Sequence, residues 1–478
     1  MITKQKIRKV LVANRGEVAT RIIRSCKELG IKTVAIYSEV DANGIWVKKA
    51  DEAYMIPGDP IKAYLNFYKI VDLAKQTRCD AIHPGYGFLS ENADFAEYCE
   101  RKGLIFIGPK PEHIRLFGDK IASKRAMREV GVPVLPGTIE PITDIEEAKR
   151  IAKEIGFPVI IKAAFGGGGR GMRIVEREED FEELFKSATV EAEKFFGKGD
   201  VFIEKYVKNP RHIEIQILAD KYGNVIHLGE RDCSIQRRHQ KIIEIAPSPR
   251  LNPEVRRELF RVAVKSMFKL GYESAGTLEF LVDEDDNFYF IEMNTRLQVE
   301  HTITETITGV DIVQRMIRIA EGEKLSFLQE DINFRGYAIE FRINAEDPTK
   351  NFAPSPGKIT SYYSPGGPGV RIDAAVYKDY IIPPYYDSMI AKLTVWALTW
   401  EQTVNRARRA LEEFQVRGVP TNLPLLRQVV RDKDFMEGRF DTSYLDKKLP
   451  TFKLKPKDES PEDLAVVIAA AIAAYHRV

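Results

Sequence analysis

The sequence predicts an α/β chain, α+β in parts, in which a doubly wound N-terminal unit is followed by a longer, strand-rich body. Three observations carry this. The chain has 478 residues, too many for a single core of ordinary size. Strand and helix patterns alternate near the N-terminus. From about residue 206 they give way to strands with hairpin signals and interspersed helices.

Residues 8–40 set the N-terminal pattern. The β-branched run Val10, Leu11, Val12 meets a turn at Asn14, Arg15 and Gly16. A helical spacing follows (Val18, Ile22, Ile23, Cys26, Leu29) and stops at Gly30, and a second apolar run begins at Thr33. Strand, helix, strand in this length is the βαβ unit of a parallel sheet. Further runs at Ala81–Ile82 and 105–107 extend the unit to about Gly118. Residues 119–205 hold a helix at 120–130 and a smaller α/β unit with the strand 159–162 and a glycine tract, and 206–450 form the strand-rich body. In the segment 451–478, a solvated linker (453–460) precedes a helix. Ser460 caps that helix, Pro461 takes its first position, and Leu464, Val467, Ile468, Ala471, Ile472 and Tyr475 share one face.

Composition narrows the function classes. Seventy-two basic against seventy acidic side chains leave a net charge of +2, which gives no reason to expect nucleic acid or a membrane surface as partner. No apolar stretch reaches the roughly 18 residues of a membrane span, and the N-terminal apolar run is too short for a signal peptide. The four cysteines are scattered and read as reduced thiols of a cytoplasmic protein.

Four segments can do chemistry. In 276–294, two strand-like runs flank Asp285 and Asp286. A symmetric two- or four-residue loop there sets Glu279 opposite Glu292, with Asn294 on the same face. Facing carboxylates destabilise a sheet unless neutralised, and a divalent cation with oxygen ligands does so. An odd-length loop separates them, and the pair is then two surface glutamates. In 160–172, a strand ending in Lys162 leads into glycines 166–169, which suit a hairpin closing over a nucleotide or a plain flexible loop. It is neither a Walker A loop nor a G-x-G-x-x-G helix start. In 230–241, Arg231, Arg237, Arg238, His239 and Lys241 cluster as an anion site or a solvated basic face. In 296–301, Arg296, Gln298 and Glu300 keep the parity of Glu292 and Asn294 if the backbone stays extended, which places a base candidate, Glu300, beside the metal.

Taken together, these segments closely resemble the biotin carboxylase family of the ATP-grasp superfamily. The matching motifs are ANRGE (13–17), HPGYGFLSEN (83–92), IGPK (107–110), GGGGRGM (166–172), EKYV (204–207), NPRHIEIQ (209–216) and ERDCSIQRRHQK (230–241). IEMNTRLQVEH (291–301), INAEDP (343–348), PSPGKI (354–359) and PPYYDSM (383–389) continue in the same register. The resemblance implies an N-terminal biotin carboxylase domain, an ATP-grasp fold with a mobile glycine-rich lid, and a C-terminal biotin carboxylase domain. It implies that ATP and bicarbonate carboxylate biotin through carboxyphosphate, with Mg²⁺ or Mn²⁺.

The family's roles then fall on residues of this chain. Lys120 and Lys162 contact the ATP phosphates, and Gly168 and Gly169 cover them. Glu204, Lys205, Tyr206 and Val207 hold the adenine, and His212, Gln236 and His239 line the nucleotide pocket. Glu279, Glu292 and Asn294 bind metal. Lys241, Arg296, Gln298 and Val299 resemble the bicarbonate site, Glu300 the base that deprotonates it, and Arg342 the residue that steadies biotin's enolate form. The family forms homodimers, and Arg24 and Glu28 match interface positions one helical turn apart.

None of the nine methionines precedes a lysine, so no biotin-carrier motif is present and the biotin arrives on another chain, with a carboxyltransferase. The residues beyond 450 resemble tails of separate subunits of pyruvate- and 2-oxoglutarate-type carboxylases, which favours a 2-oxo acid as final acceptor over acetyl-CoA. Two rival readings are a different ATP-grasp ligase, which leaves RLQVEH and Arg342 unexplained, and a nucleotide sensor or RNA-binding protein, against which the neutral charge and the acidic strand argue.

Overall fold

The computed structural model describes residues 4–138, 140–163, 172–196 and 200–454, with 468, 469 and 475. The predicted alternation forms first. Strands β1 (Lys9–Val12), β2 (Lys32–Tyr37), β3 (Glu52–Met55), β4 (Ala81–His83) and β5 (Ile105–Phe106) make one sheet. All its pairings are parallel, in the order β3-β2-β1-β4-β5. The helix Gly16–Glu28 buries Val18, Ala19, Ile22, Ile23 and Cys26. The strand order reverses between β1 and β4, so the loops leaving them share one crevice, the place where open α/β sheets put ligands. Those loops are ANRGE and HPGYGFLSEN. They interlock: Asn14 donates to the carbonyls of Pro84 at 2.7 Å and Tyr86 at 2.8 Å. A side chain at Gly85, whose φ is +66°, would meet the Asn14 amide at 2.9 Å.

A smaller antiparallel sheet follows, with β6 (Val159–Ala163) between β7 (Met172–Val175) and β8 (Val201–Lys205). The helices Ile145–Ile155 and Phe181–Phe196 bury their apolar sides against it. Lys162 pairs with Met172 where β6 and β7 run antiparallel, which favours the hairpin over the plain loop. Glycines 166–169, including the lid positions Gly168 and Gly169, lie outside the described residues.

The largest sheet has eight strands. It contains β9 (Arg211–Ala219), β10 (Val225–Arg237), β11 (Gln240–Ala246), β12 (Ser274–Val282), β13 (Phe288–Asn294) and β14 (Tyr337–Asn344), and beyond β14 the strands Met389–Ala397 and Val370–Ala374. The order is β13-β12-β9-β10-β11-β14 and then those two, all antiparallel.

The β12–β13 turn departs from expectation. Its loop, 283–287, has an odd number of residues, and Asp286 adopts φ +65°. Next to the loop, Val282 pairs with Phe288 and Phe280 with Phe290. Ile291 is then an extra residue, a bulge, and beyond it Glu279 pairs with Glu292 and Thr277 with Asn294. The bulge restores the register that the odd loop would have lost.

All four cysteines are buried free thiols. No helix among the described residues is long and apolar enough to cross a membrane. The predicted tail helix from Ser460 lies outside the described residues, apart from Ile468, Ala469 and Tyr475, which are helical and exposed.

Candidate active site

One face of the large sheet collects the charged residues. Glu292 on β13 stands opposite Glu279 on β12, Glu279 opposite Glu214 on β9, and Glu214 opposite Arg231 on β10. Three carboxylates abreast across neighbouring strands repel one another and require counter-charge. Arg231, fully buried, donates to Glu214 at 3.1 Å and also to Gln216, Thr277 and Thr304. His212 reaches Glu279 at 2.6 Å, and Gln236 orients its other ring nitrogen at 2.9 Å. Asn294 and Gln298 donate to Glu279 Oε1 at 2.7 and 3.2 Å. Burial opposes the charge of Glu279, but Lys241 and His212 outweigh it and hold its carboxyl far below the usual range. Glu292 makes no hydrogen bond or ion pair among the described residues, and much of its surface remains accessible. The protein around its carboxylate, then the like charge of Glu279, push its pKa up.

Lys241 joins this row to a second group. Its ammonium contacts Glu214, Glu279 at 2.9 Å and Glu300 at 2.9 Å. Burial disfavours the ammonium, yet Glu279 and Glu300 raise its pKa. Glu300 is buried and immediately precedes the helix His301–Thr308, its side chain making no capping bond to it. Arg342 grips it at 3.0 Å while bonding Glu244 at 2.6 Å. Burial alone would raise the Glu300 pKa; Lys241, Arg342 and Arg231 reverse this and hold it well below the carboxylate range. Residues 295–300 are not extended, contrary to the parity expectation, for β13 ends at Asn294 and Leu297 turns into the core. The polar side chains still converge: Arg296 donates to Asn294 at 2.8 Å and Glu91 at 2.8 Å, Gln298 reaches Glu279, and Glu300 reaches Lys241.

A third group lies on the smaller sheet. Lys162 and Lys124 both contact Glu204 on β8. Burial, then the charge of Lys120, lower Lys162 to about 8; burial, then Lys162 and Lys120, lower Lys124 to about 8. Two ammonium groups on one carboxylate, with the charge of Lys120 close enough to act on both, suit a polyanion. Lys205 turns away, donating to the carbonyls of Gly156 and Phe157, and the amides of Lys205 and Tyr206 bond Pro136 and Pro158. Val207 follows directly, so this backbone is fixed on both sides. His239 stands apart: with Arg238 it forms the exposed two-residue turn between β10 and β11, both at positive φ.

The comparisons with known proteins agree with this layout. The family model "Biotin carboxylase, N-terminal domain" matches residues 6–114. "Carbamoyl-phosphate synthase L chain, ATP binding domain" matches 119–328, and "Biotin carboxylase C-terminal domain" matches 340–447. The 2-oxoglutarate carboxylase small subunit of Hydrogenobacter thermophilus is 58% identical over 469 residues, 98% of this chain and 99% of the relative. The chain belongs to the biotin carboxylase family. Another member, from the pyruvate carboxylase of Methanothermobacter thermautotrophicus, is 54% identical over 92% of this chain and 89% of its own. Among solved structures, the biotin carboxylase domain dimer of the Hydrogenobacter 2-oxoglutarate carboxylase, in complex with MgADP, ADP and bicarbonate, superposes with TM-score 0.89 at 58% identity. It covers 95% of this chain and 100% of that domain.

Within this biotin carboxylase, the structure gathers His212, Gln236, Lys241, Glu279, Glu292, Asn294, Arg296, Gln298, Glu300 and Arg342 in one face. It gathers Lys162 and Glu204 in another group, with Lys120 near Lys162. Sequence reasoning missed Glu214, Arg231 as a buried counter-ion, Glu244, Lys124 and Glu91. Glu214 carried a signal, since it alternates with His212 and Gln216 along β9. Lys124 lies one helical turn past Lys120 on the helix Lys120–Glu129. Glu91 and Glu244 carried none. The donor set fits a hard divalent cation: Glu279, Glu292 and Asn294 offer oxygens on adjacent strands, and Glu292 has no other claim on it.

Proposed function

We propose that this chain carboxylates biotin at the expense of ATP, with bicarbonate as the carbon source, as the first half-reaction of a biotin-dependent carboxylase. The observation that carries the reading is Lys241, whose single ammonium spans the metal-facing Glu279 and the base candidate Glu300. An anion seated on it has a base on one side and the phosphate end of a nucleotide on the other. Lys120, Lys124 and Lys162 bind the phosphates, and the backbone of 204–207 holds the adenine. Lys241, Arg296, Gln298 and the Val299 amide hold bicarbonate. Bound Mg²⁺, on Glu279, Glu292 and Asn294, would neutralise phosphate charge.

Bicarbonate is a weak nucleophile at neutral pH. Glu300 takes its proton as one of its oxygens bonds to the γ-phosphorus, and the bond from that phosphorus to the bridging oxygen breaks to release ADP. Carboxyphosphate forms and then breaks to CO₂ and phosphate, which removes the ureido proton of biotin. Arg342, already beside Glu300, steadies the resulting enolate, whose ureido nitrogen then bonds to the CO₂ carbon to give carboxybiotin. Carboxyphosphate hydrolyses readily, so the reaction needs a site that excludes water.

The biotin comes on a separate carrier, and a carboxyltransferase subunit completes the reaction. A 2-oxo acid, pyruvate or 2-oxoglutarate, is favoured as final acceptor over acetyl-CoA, supported by the small-subunit relative matched over 99% of its length. A homodimer is supported by the dimeric relative, and a cytoplasmic location by the four reduced cysteines. The test is ATP hydrolysis by the purified chain with Mg²⁺, measured with and without bicarbonate in degassed buffer, then with free biotin. Bicarbonate must be required and biotin must stimulate; equal rates in its presence and absence would reject the reading.

A further inference from the structure

Two residues find no task in the reaction as drawn, although both lie in the crevice where β1 and β4 diverge. ANRGE supplies Glu17 and HPGYGFLSEN supplies Tyr86. Tyr86 donates its hydroxyl to Glu17, which is buried with one carboxylate oxygen lacking a partner among the described residues. Opposite them is Lys392, whose side chain has 0% exposure. Its ammonium lies 3.2 Å from Glu17 and 5.9 Å from the centre of the Tyr86 ring.

Lys392 is also placed by the sheet. It pairs directly with Arg342 across the β14 ladder and with Asp373 on its other side. Two cations side by side on neighbouring strands are unfavourable unless each has its own work. Arg342 holds the Glu300 carboxylate at 3.0 Å, and Lys392 donates to the carbonyl of Val299, the preceding residue, at 2.7 Å. Cross-strand neighbours thus grip consecutive residues of one turn. Burial disfavours the Lys392 ammonium, and Glu17, Glu340 and Asp373 restore it.

We propose that Lys392 is a positioning residue of the carboxylation site: it fixes the Val299 peptide, and with it the turn that presents Gln298 and Glu300, to Glu17 and Tyr86 of the N-terminal domain. The proposal rests on the bicarbonate reading of that turn. It assigns Glu17 and Tyr86 to one job, holding the anion-binding turn in place from behind. The held carbonyl shares its peptide plane with the Glu300 amide, so gripping it fixes the chain between Val299, whose own amide is read as contacting bicarbonate, and Glu300, the base candidate.

The experiment is steady-state kinetics on the full chain. Lys392→Met removes the donor but leaves Glu17 buried without a partner, so Glu17→Gln/Lys392→Met, which buries no lone charge, is made beside it. For the double variant we expect KM for bicarbonate to rise roughly tenfold or more, the scale on which misplaced supporting groups act. KM for ATP and the Kd for ADP stay within about twofold, since neither touches this turn. Unchanged bicarbonate KM and kcat in the folded double variant overturn the proposal. So does a parallel loss of ATP affinity and thermal stability, or failure of both variants to fold, because each would make Lys392 a core residue only. Failure of the parent reading is distinguishable, for then the wild-type chain itself shows no bicarbonate-dependent hydrolysis.

Discussion

At Glu300 a base is needed, and the protein surrounds it with cations that make it a poor one. Lys241 and Arg342 hold the carboxylate ionised when no substrate is present. The same two groups are those that bicarbonate and biotin are read as engaging, so bound substrates share their positive charge and return basicity to Glu300. Glu300→Gln should therefore lower kcat roughly 100-fold or more, as loss of a positioned base does, with ADP affinity nearly unchanged. Rates together with calorimetric ADP binding decide it: a variant that loses nucleotide affinity in proportion has lost structure, not a base. At this scale the sequence showed most of the residues that the fold brings together. Glu279, Glu292 and Asn294 follow from alternation along paired strands, because a period of two leaves little choice of face. Glu91 and Glu244 could not be seen, since each meets its arginine partner only through tertiary folding, across 205 and 98 residues.

Strands carry the next level. The β12–β13 hairpin shows why a register argument from sequence can be right in outcome and wrong in route. Alternation reveals a face but not a bulge, and Ile291 looks like any other strand residue. The ladder between β14 and Met389–Ala397 offers a sharper test. Glu340 pairs with Thr394 there and accepts a hydrogen bond from Thr302, deep in the core. Burial raises its carboxyl from 4.5 to about 8, against the opposing pull of Lys392. Between those pH values the folded chain keeps a proton that the unfolded chain releases, so stability falls as pH rises through the window. Glu340→Gln cannot lose that proton. Its melting temperature should match the parent below pH 5 and exceed it increasingly towards pH 8. Thermal melts across that range check the sign, and parallel curves for the two proteins would refute it.

The whole molecule is a nucleotide-binding body with a doubly wound domain set against it, and the sequence predicted both. What composition and spacing left open was how the domains meet, because that depends on contacts between distant segments such as Glu17 with Lys392 and Arg21 with Glu305. The dimer reading belongs here. Arg24 and Glu28 are exposed and do not pair with each other: Arg24 lies 4.0 Å from Asp373, and Glu28 accepts from Gln314 at 2.8 Å. The exposed turn of the helix Gly16–Glu28 is thus available to a second copy. Light scattering at micromolar concentration should give about twice the chain mass of 54.4 kDa, and the single-chain mass would remove the idea.

An ammonium has three hydrogens, and Lys241 gives all of its contacts to carboxylates, those of Glu214, Glu279 and Glu300. It cannot welcome bicarbonate until one of them lets go. Glu214 is tied to Arg231, and Glu300 must stay for its own work, which leaves Glu279. A divalent cation would claim that carboxylate, so the metal-nucleotide would come first and vacate a donor, and the carbon source would follow. Bicarbonate then acts as the trailing partner in initial-rate patterns. Calorimetry on the chain without metal or nucleotide should register no bicarbonate binding, and a clear signal there would show that arrival is random.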